Sequence, residues 1–233
     1  MLEATNLSKE YNNFSALNNL NIKVEAGDIY CLLGANGAGK STTINLFLGF
    51  IEATKGSVSI NGFDVSKKNM ETKKYLSYIP ENLMLYPTLT GLENLEYFVG
   101  LANKKYAKAE FINFLTEAGL QTNAHTKRVS AYSKGMRQKV GIAIALAKDA
   151  KVLLLDEPTS GLDPRASNEF STLLLTLKDK GVATLMATHD IFRAKQIATH
   201  IGIMKEGRLV ESFKSEDISL KDLEGLYLET IDS

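Results

Sequence analysis

Nine consecutive residues, Gly34-Ala35-Asn36-Gly37-Ala38-Gly39-Lys40-Ser41-Thr42, set three glycines ahead of a lysine and two hydroxyls. In the spacing G-x-x-x-x-G-K-[ST], the glycines let the backbone turn so tightly that successive N–H groups aim at phosphate oxygens. Lys40 adds a compact charge that can reach the β- and γ-phosphates, and the Ser41 hydroxyl can ligate Mg²⁺. Hydrolysis at such a site also needs a carboxylate to hold the metal's water shell and a group to orient the attacking water. Asp156 and Glu157 end the apolar run Val152-Leu153-Leu154-Leu155 and suit those two tasks. His189 closes a second apolar run, 181–188, where it can hydrogen-bond a γ-phosphate oxygen. These residue types in this pattern predict a nucleoside triphosphate bound with Mg²⁺ and cleaved by water.

A second anion-binding feature lies apart from the first. Tyr132-Ser133-Lys134-Gly135-Met136-Arg137-Gln138 leads into the apolar-faced run 140–146. Ser133 has the chemistry of an N-cap, and Gly135 lets a phosphate approach the backbone. The chain has a single phosphate loop, so this helix end is surplus and is expected to serve the nucleotide of another copy. Tyr11, beside Lys9-Glu10 and Asn12-Asn13 in what reads as a polar turn, is either a packing residue or a ring that stacks on a purine.

The elements that must position these groups read as alternating strands and helices. Ile29-Tyr30-Cys31-Leu32-Leu33 is a continuous apolar run, read as a buried strand, and 42–48 reads as the helix after the loop. Residues 1–33 otherwise alternate in short runs, as in Leu20-Asn21-Ile22-Lys23-Val24, which suggests a small antiparallel sheet. Residues 55–62 read as a strand ending in an Asn-Gly turn, and 76–80 as a strand cut off by Pro80. From 92 to 118 apolar residues recur at helical spacing, giving an inserted helical segment. Residues 151–158, a helix over 166–180 and 181–188 form a βαβ unit in the same sheet as 29–33. Residues 201–210 read as a hairpin, and the polar tail from Ser215 carries only sparse leucines. The fold class is therefore α/β: a mixed sheet core with an antiparallel β part and a helical insertion.

The length of 233 residues suits one large α/β domain. Lys plus Arg is 27 and Asp plus Glu is 27, so no global basic field gathers nucleic acid, and none is expected as a partner. The one cysteine, Cys31, is expected as a small buried hydrophobe, in keeping with a reducing compartment. The N-terminal residues carry neither the charged nor the apolar region of a secretory signal. No stretch approaches the roughly 20 apolar residues that span a bilayer, so any spanning is expected of another polypeptide.

Over essentially its whole length the chain resembles the nucleotide-binding subunit of an ATP-binding cassette (ABC) transporter. Residues 34–41 match the family's phosphate loop, with Asn36, Ala38 and Thr42 in the cradle, and residues 133–137 stand at its signature sequence. Asp156 and Glu157 match the metal aspartate and catalytic glutamate. Ser160-Gly161-Leu162-Asp163 matches the loop joining the two sites, and His189 the switch histidine. By the same resemblance Tyr11 is the adenine-stacking aromatic. The implied fold is a P-loop NTPase, RecA-like, with a core lobe (1–81 and 151–212), a helical lobe (82–150) and a tail (213–233). The implied activity is ATP hydrolysis with Mg²⁺ in a homodimer or heterodimer of such subunits. It drives transport, with export the expected direction, through a separate integral-membrane permease. The implied location is the cytoplasm, peripheral on the inner face of the cell membrane. The alternative within the family is a soluble ATPase for cluster assembly or cell division.

Two positions depart from the family's commoner pattern. The signature has Lys134 where glycine is usual, adding a cation near the γ-phosphate or pointing to solvent. Glu81 stands where a glutamine normally touches Mg²⁺ or its water. Glu81 is retained as a metal-site residue with Ser41 and Asp156. Both departures resemble the ABC-2-type subgroup.

Overall fold

A computed structural model describes residues 1–12 and 14–232. Two sheets share the work. The first is antiparallel: β1 (Leu2–Tyr11) pairs with β2 (Phe14–Val24) and β4 (Lys55–Ile60), and β4 pairs with β5 (Phe63–Asp64). The expected Asn-Gly turn joins β4 to β5, with Asn61 and Gly62 both at positive φ, 51° and 79°. Tyr11 is the last residue of β1, paired with Phe14, rather than part of the turn itself. Asn13 of that turn lies outside the described residues.

The second sheet contains β3 (Ile29–Leu33), β6 (Leu76–Ile79), β7 (Val152–Asp156), β8 (Ala183–Thr188), β9 (His200–Lys205) and β10 (Arg208–Lys214). Their order is β10-β9-β3-β8-β7-β6. All pairs are parallel except β9 with β10. Every residue of β3 and β8 is buried, which is why both read as continuous apolar runs instead of alternating ones. The parallel strands all end on one edge, and the crevice at that edge is where an α/β sheet binds ligands.

Several helices begin at a capping side chain. α1 (Lys40–Leu48) follows β3, and α2 (Asn69–Thr72) is a single turn. α3 (Gly91–Leu101) opens with a reciprocal capping box between Thr90 and Glu93. The helical stretch expected over 92–118 is two helices, since α4 (Lys108–Glu117) is separate. The chain breaks between them where Asn103 takes a left-handed φ of 57°. α5 (Lys134–Ala147) is capped by Ser133. α6 (Pro164–Asp179) is capped by Asp163, with Pro164 in the first turn, and α7 (Ile191–Ile197) by Asp190.

The polar tail is not irregular. It forms α8 (Leu220–Asp232), whose Leu223 and Tyr227 are buried in the same apolar core as Ala194, Ile197 and Ile203. Leu220, Leu223, Leu226 and Tyr227 recur at helical spacing, and the buried pair Leu223 and Tyr227 docks the helix. That core lies between the sheet and helices α3–α8, and a second core fills the space between the two sheets around α1. Cys31 is fully buried, and burial pushes its thiol up. Among the described residues no helix is long and apolar enough to cross a membrane.

Candidate functional site

The loop between β3 and α1 is held open by its glycines. Gly39 sits at φ 103°, and a Cβ there would lie 2.9 Å from the carbonyl oxygen of Ala16. A Cβ on Gly34 would lie 2.6 Å from the Met204 carbonyl oxygen. Neither position admits a side chain, so the neighbouring backbone fixes the loop's path. The β9–β10 hairpin pins the loop from outside, since Gly207 N donates to Ala38 O at 3.0 Å.

α1 and α4 start without a capping side chain. α3, α5, α6 and α7 each have a capping side chain, whereas α1 begins at Gly39 with no side-chain cap. Its first N–H groups, with the positive end of the helix dipole, are therefore left for an external anion. The crest Ala35-Asn36-Gly37 is exposed. The loop borders a cleft of about 360 Å³ lined by residues 35–42 together with Tyr11, Phe14, Ala16, Glu81, Asp156 and Glu157.

Lys40 is almost fully buried, and its Nζ donates to the carbonyls of Gly34 at 2.5 Å and Ala35 at 3.1 Å. Burial pushes the ammonium pKa down, and the carboxylates of Glu157 and Asp156 push partly back. Asp156 ends β7, two strands from β3, and accepts a hydrogen bond from Ser41 Oγ at 3.3 Å. Burial raises its carboxyl pKa. The Ser41 hydrogen bond and Lys40 oppose that rise, while the nearby charges of Glu157 and Glu81 add to it. A partly buried carboxylate and a hydroxyl in contact are a hard-oxygen pair suited to Mg²⁺.

Glu157 follows with a left-handed φ of 45°, a strained conformation for this residue type. Its N–H donates to Ala187 O at 2.9 Å, which turns the chain sharply at the strand end. The carboxylate lies inward. Oε2 is 3.0 Å from His189 Nδ1 and accepts from Thr188 Oγ1 at 3.4 Å. Oε1 is buried and has no hydrogen-bond partner, because Lys40 Nζ at 3.7 Å is too far to make one. An unpaired buried carboxylate oxygen facing a phosphate cradle fits a donor such as water. His189 itself is mostly exposed.

The remaining predicted residues fall in three places. Tyr11 and Phe14 stand 45% and 64% exposed at the mouth of the cleft, and Lys9 Nζ lies 4.8 Å from the centre of the Tyr11 ring. Glu81 also lines the cleft, but its Oε1 accepts from Ser160 Oγ at 3.0 Å and lies 3.8 Å from Lys134 Nζ. The two departures from the family pattern are thus partners of each other, and Lys134 points at its own chain rather than at solvent. Ser133 and Gly135 lie outside the cleft lining. Ser133 Oγ accepts from Met136 N at 3.3 Å and its side chain is exposed. A Cβ on Gly135 would meet Ala166 Cβ at 3.2 Å, so glycine here also serves packing against α6.

Three contributors escape motif reading. Thr188 holds Glu157 from the end of a buried strand, and Phe14 joins Tyr11 only because β1 and β2 pair there. Gln138 is buried in α5 and reaches two loops at once. A polar residue in the middle of an apolar-faced helix was the available signal.

Residues 17–160 match the family model described as ABC transporter. The chain belongs to the ABC transporter family. The bacitracin transport ATP-binding protein BcrA of Bacillus licheniformis is 36% identical over 98% of this chain and 74% of that protein. The lantibiotic transport ATP-binding protein SrtF of Streptococcus pyogenes is 31% identical over 97% of this chain and 96% of that protein. A solved dimeric ATP-binding cassette, in a post-hydrolysis state with ADP and Pi, is 26% identical. It superposes with a TM-score of 0.82, over 92% of this chain and 99% of that one. The ABC chain is accordingly an ATP-binding subunit and an ATPase, with the P-loop NTPase fold of the family.

Proposed function

We propose that two copies of the chain close head to tail on two ATP molecules, each held between one copy's phosphate loop and the other's Ser133 helix end. One observation supports this reading above the rest. The cleft that gathers Lys40, Ser41, Asp156 and Glu157 does not include Ser133 or Gly135, while α5 presents its capped end outward. Each chain then owns half of two pockets.

In this reading the N–H groups of residues 34–42 and Lys40 grip the phosphates, and Tyr11 stacks on the adenine. Ser41 and Asp156 would hold Mg²⁺, with Glu81 on its water; the ion supplies positive charge against the phosphate oxygens. Glu157 accepts a proton from the attacking water through Oε1, the oxygen left without a partner. His189 holds the other oxygen of Glu157 and offers its second nitrogen to the γ-phosphate. Lys40 stabilises charge that develops as the γ-phosphoryl group leaves.

The core lobe (1–81 and 151–212) carries the nucleotide, the helical lobe (82–150) the signature, and residues 213–233 are a tail. Closure and opening pass through residues 81–101 to an integral-membrane permease, so the chain sits in the cytoplasm against the inner face of the membrane. Export is the direction assigned, after relatives named for bacitracin and lantibiotic transport. Glu157→Gln tests the sandwich: with the water unactivated, Mg-ATP should shift the variant from monomer to dimer on size-exclusion chromatography. A variant that stays monomeric at saturating Mg-ATP would overturn it. Co-purification from detergent-solubilised membranes tests the permease, and recovery with soluble partners alone would point to the soluble ATPase.

A further inference from the structure

The loop after β6 begins with Pro80, and the loop after β7 has Pro158 as its second residue. Proline has no N–H, so each residue can be held through its backbone only by its carbonyl. Both carbonyls meet the same side chain. Gln138, only 1% exposed in α5, places Nε2 3.5 Å from Pro80 O, 3.5 Å from Glu81 O and 3.3 Å from Pro158 O. One NH₂ group has two hydrogens for these three acceptors, and the contacts are correspondingly long. Flipping the amide would set Oε1 against three oxygens, so the network fixes its orientation. Oε1 itself is buried without a partner.

An unsatisfied buried amide is a poor device for stability. Its placement suggests another use. Pro158 directly follows Glu157, whose left-handed φ of 45° must be held by its surroundings. On the upstream side Ala187 O takes the Glu157 N–H; on the downstream side the Pro158 carbonyl is tied to Gln138. We propose that Gln138 is a positioning residue. Through its amide nitrogen it ties α5 to the loops carrying Glu81 and Pro158, and so fixes where the Glu157 carboxylate points. This rests on the reading that Glu157 orients the water.

The test is phosphate release by the full chain with Gln138→Met, which keeps the side-chain length and removes both amide groups, and Gln138→Glu, which keeps the shape and removes both donors. The expected result for Gln138→Met is a kcat lowered at least about tenfold, as for a misplaced catalytic group, with KM for ATP within about twofold. Its melting temperature should stay within a few degrees of the parent's, because loss of the orphaned oxygen offsets loss of the long contacts to the three carbonyls. For Gln138→Glu, kcat should recover relative to the parent as pH falls, since the protonated acid regains one donor. An unchanged kcat in a folded Gln138→Met chain would overturn the proposal. So would kcat, ATP affinity and melting temperature declining together, the signature of a structural residue. If Gln138→Met does not fold, the relative pH recovery of Gln138→Glu decides, and its absence is negative. Glu157→Gln run alongside separates the two levels: hydrolysis surviving in that variant refutes the role of Glu157, not the tie.

Discussion

Asp156, the proposed metal-site carboxylate, sits against the grain of stability. Its carboxyl is raised above the ordinary value of 3.8, chiefly by burial. As pH climbs past that value, the unfolded chain releases the proton first, so ionisation favours unfolding. Asp156→Asn removes that penalty. The variant should melt higher than the parent at neutral pH. The advantage should vanish in acid below the unfolded pKa, where both chains carry a neutral group. It should level off above the folded pKa. Thermal melts across pH check the sign, and Mg-dependent ATP hydrolysis should be lost in the same variant. Lys40 has the converse arrangement: burial alone lowers its pKa, and the two carboxylates restore part of it. Lys40→Ala should lower phosphate release by about 100-fold or more. These residues were legible by type and spacing, because each acts within a few residues of a strand end or loop glycine. The contacts of Glu157 were not, since Thr188 and His189 reach it from a different strand.

Among the elements, α5 carries the most. Its N-cap, its packing glycines and Gln138 face three different neighbours, and Lys134 reaches a fourth group, Glu81. The Lys134–Glu81 pair is partly exposed and worth about 0–1 kcal/mol, so its effect on rate is a few-fold. Because each charge faces the other at 3.8 Å, Glu81→Gln and Lys134→Gly should not add. The double variant should hydrolyse ATP closer to the parent rate than Glu81→Gln alone, measured by phosphate release from all three. Additive losses would separate the two positions. The docking of α8 rests on few buried side chains. Leu223→Ala should cost about 2–4 kcal/mol in thermal or denaturant unfolding, leaving ATP affinity unchanged in the folded chain.

At the scale of the molecule, the proposed division of each pocket between two chains makes a prediction that no single-site ATPase shares. Lys40→Ala disables one chain's cradle, and Ser133→Arg blocks the other half. Each pure variant should be nearly inactive. Mixed together, half of the dimers pair the two chains, and each such dimer regains one of two pockets, so activity should return to about a quarter of the parent's. Phosphate release from the mixture against each variant alone checks this, and no recovery on mixing counts against shared pockets.

The phosphate loop, the carboxylates at a strand end, the capped α5 and the run of buried strands were all set by the sequence alone. Each depends on residues adjacent along the chain, where glycine, proline, side-chain caps and apolar runs act locally. The tertiary structure decided that β8 lies between β3 and β7, that α8 docks on the core, that Glu81 pairs with Lys134 and that Gln138 joins two loops. Those outcomes come from packing between segments far apart in sequence, where burial and the pairing of polar groups choose among placements that local pattern leaves equal.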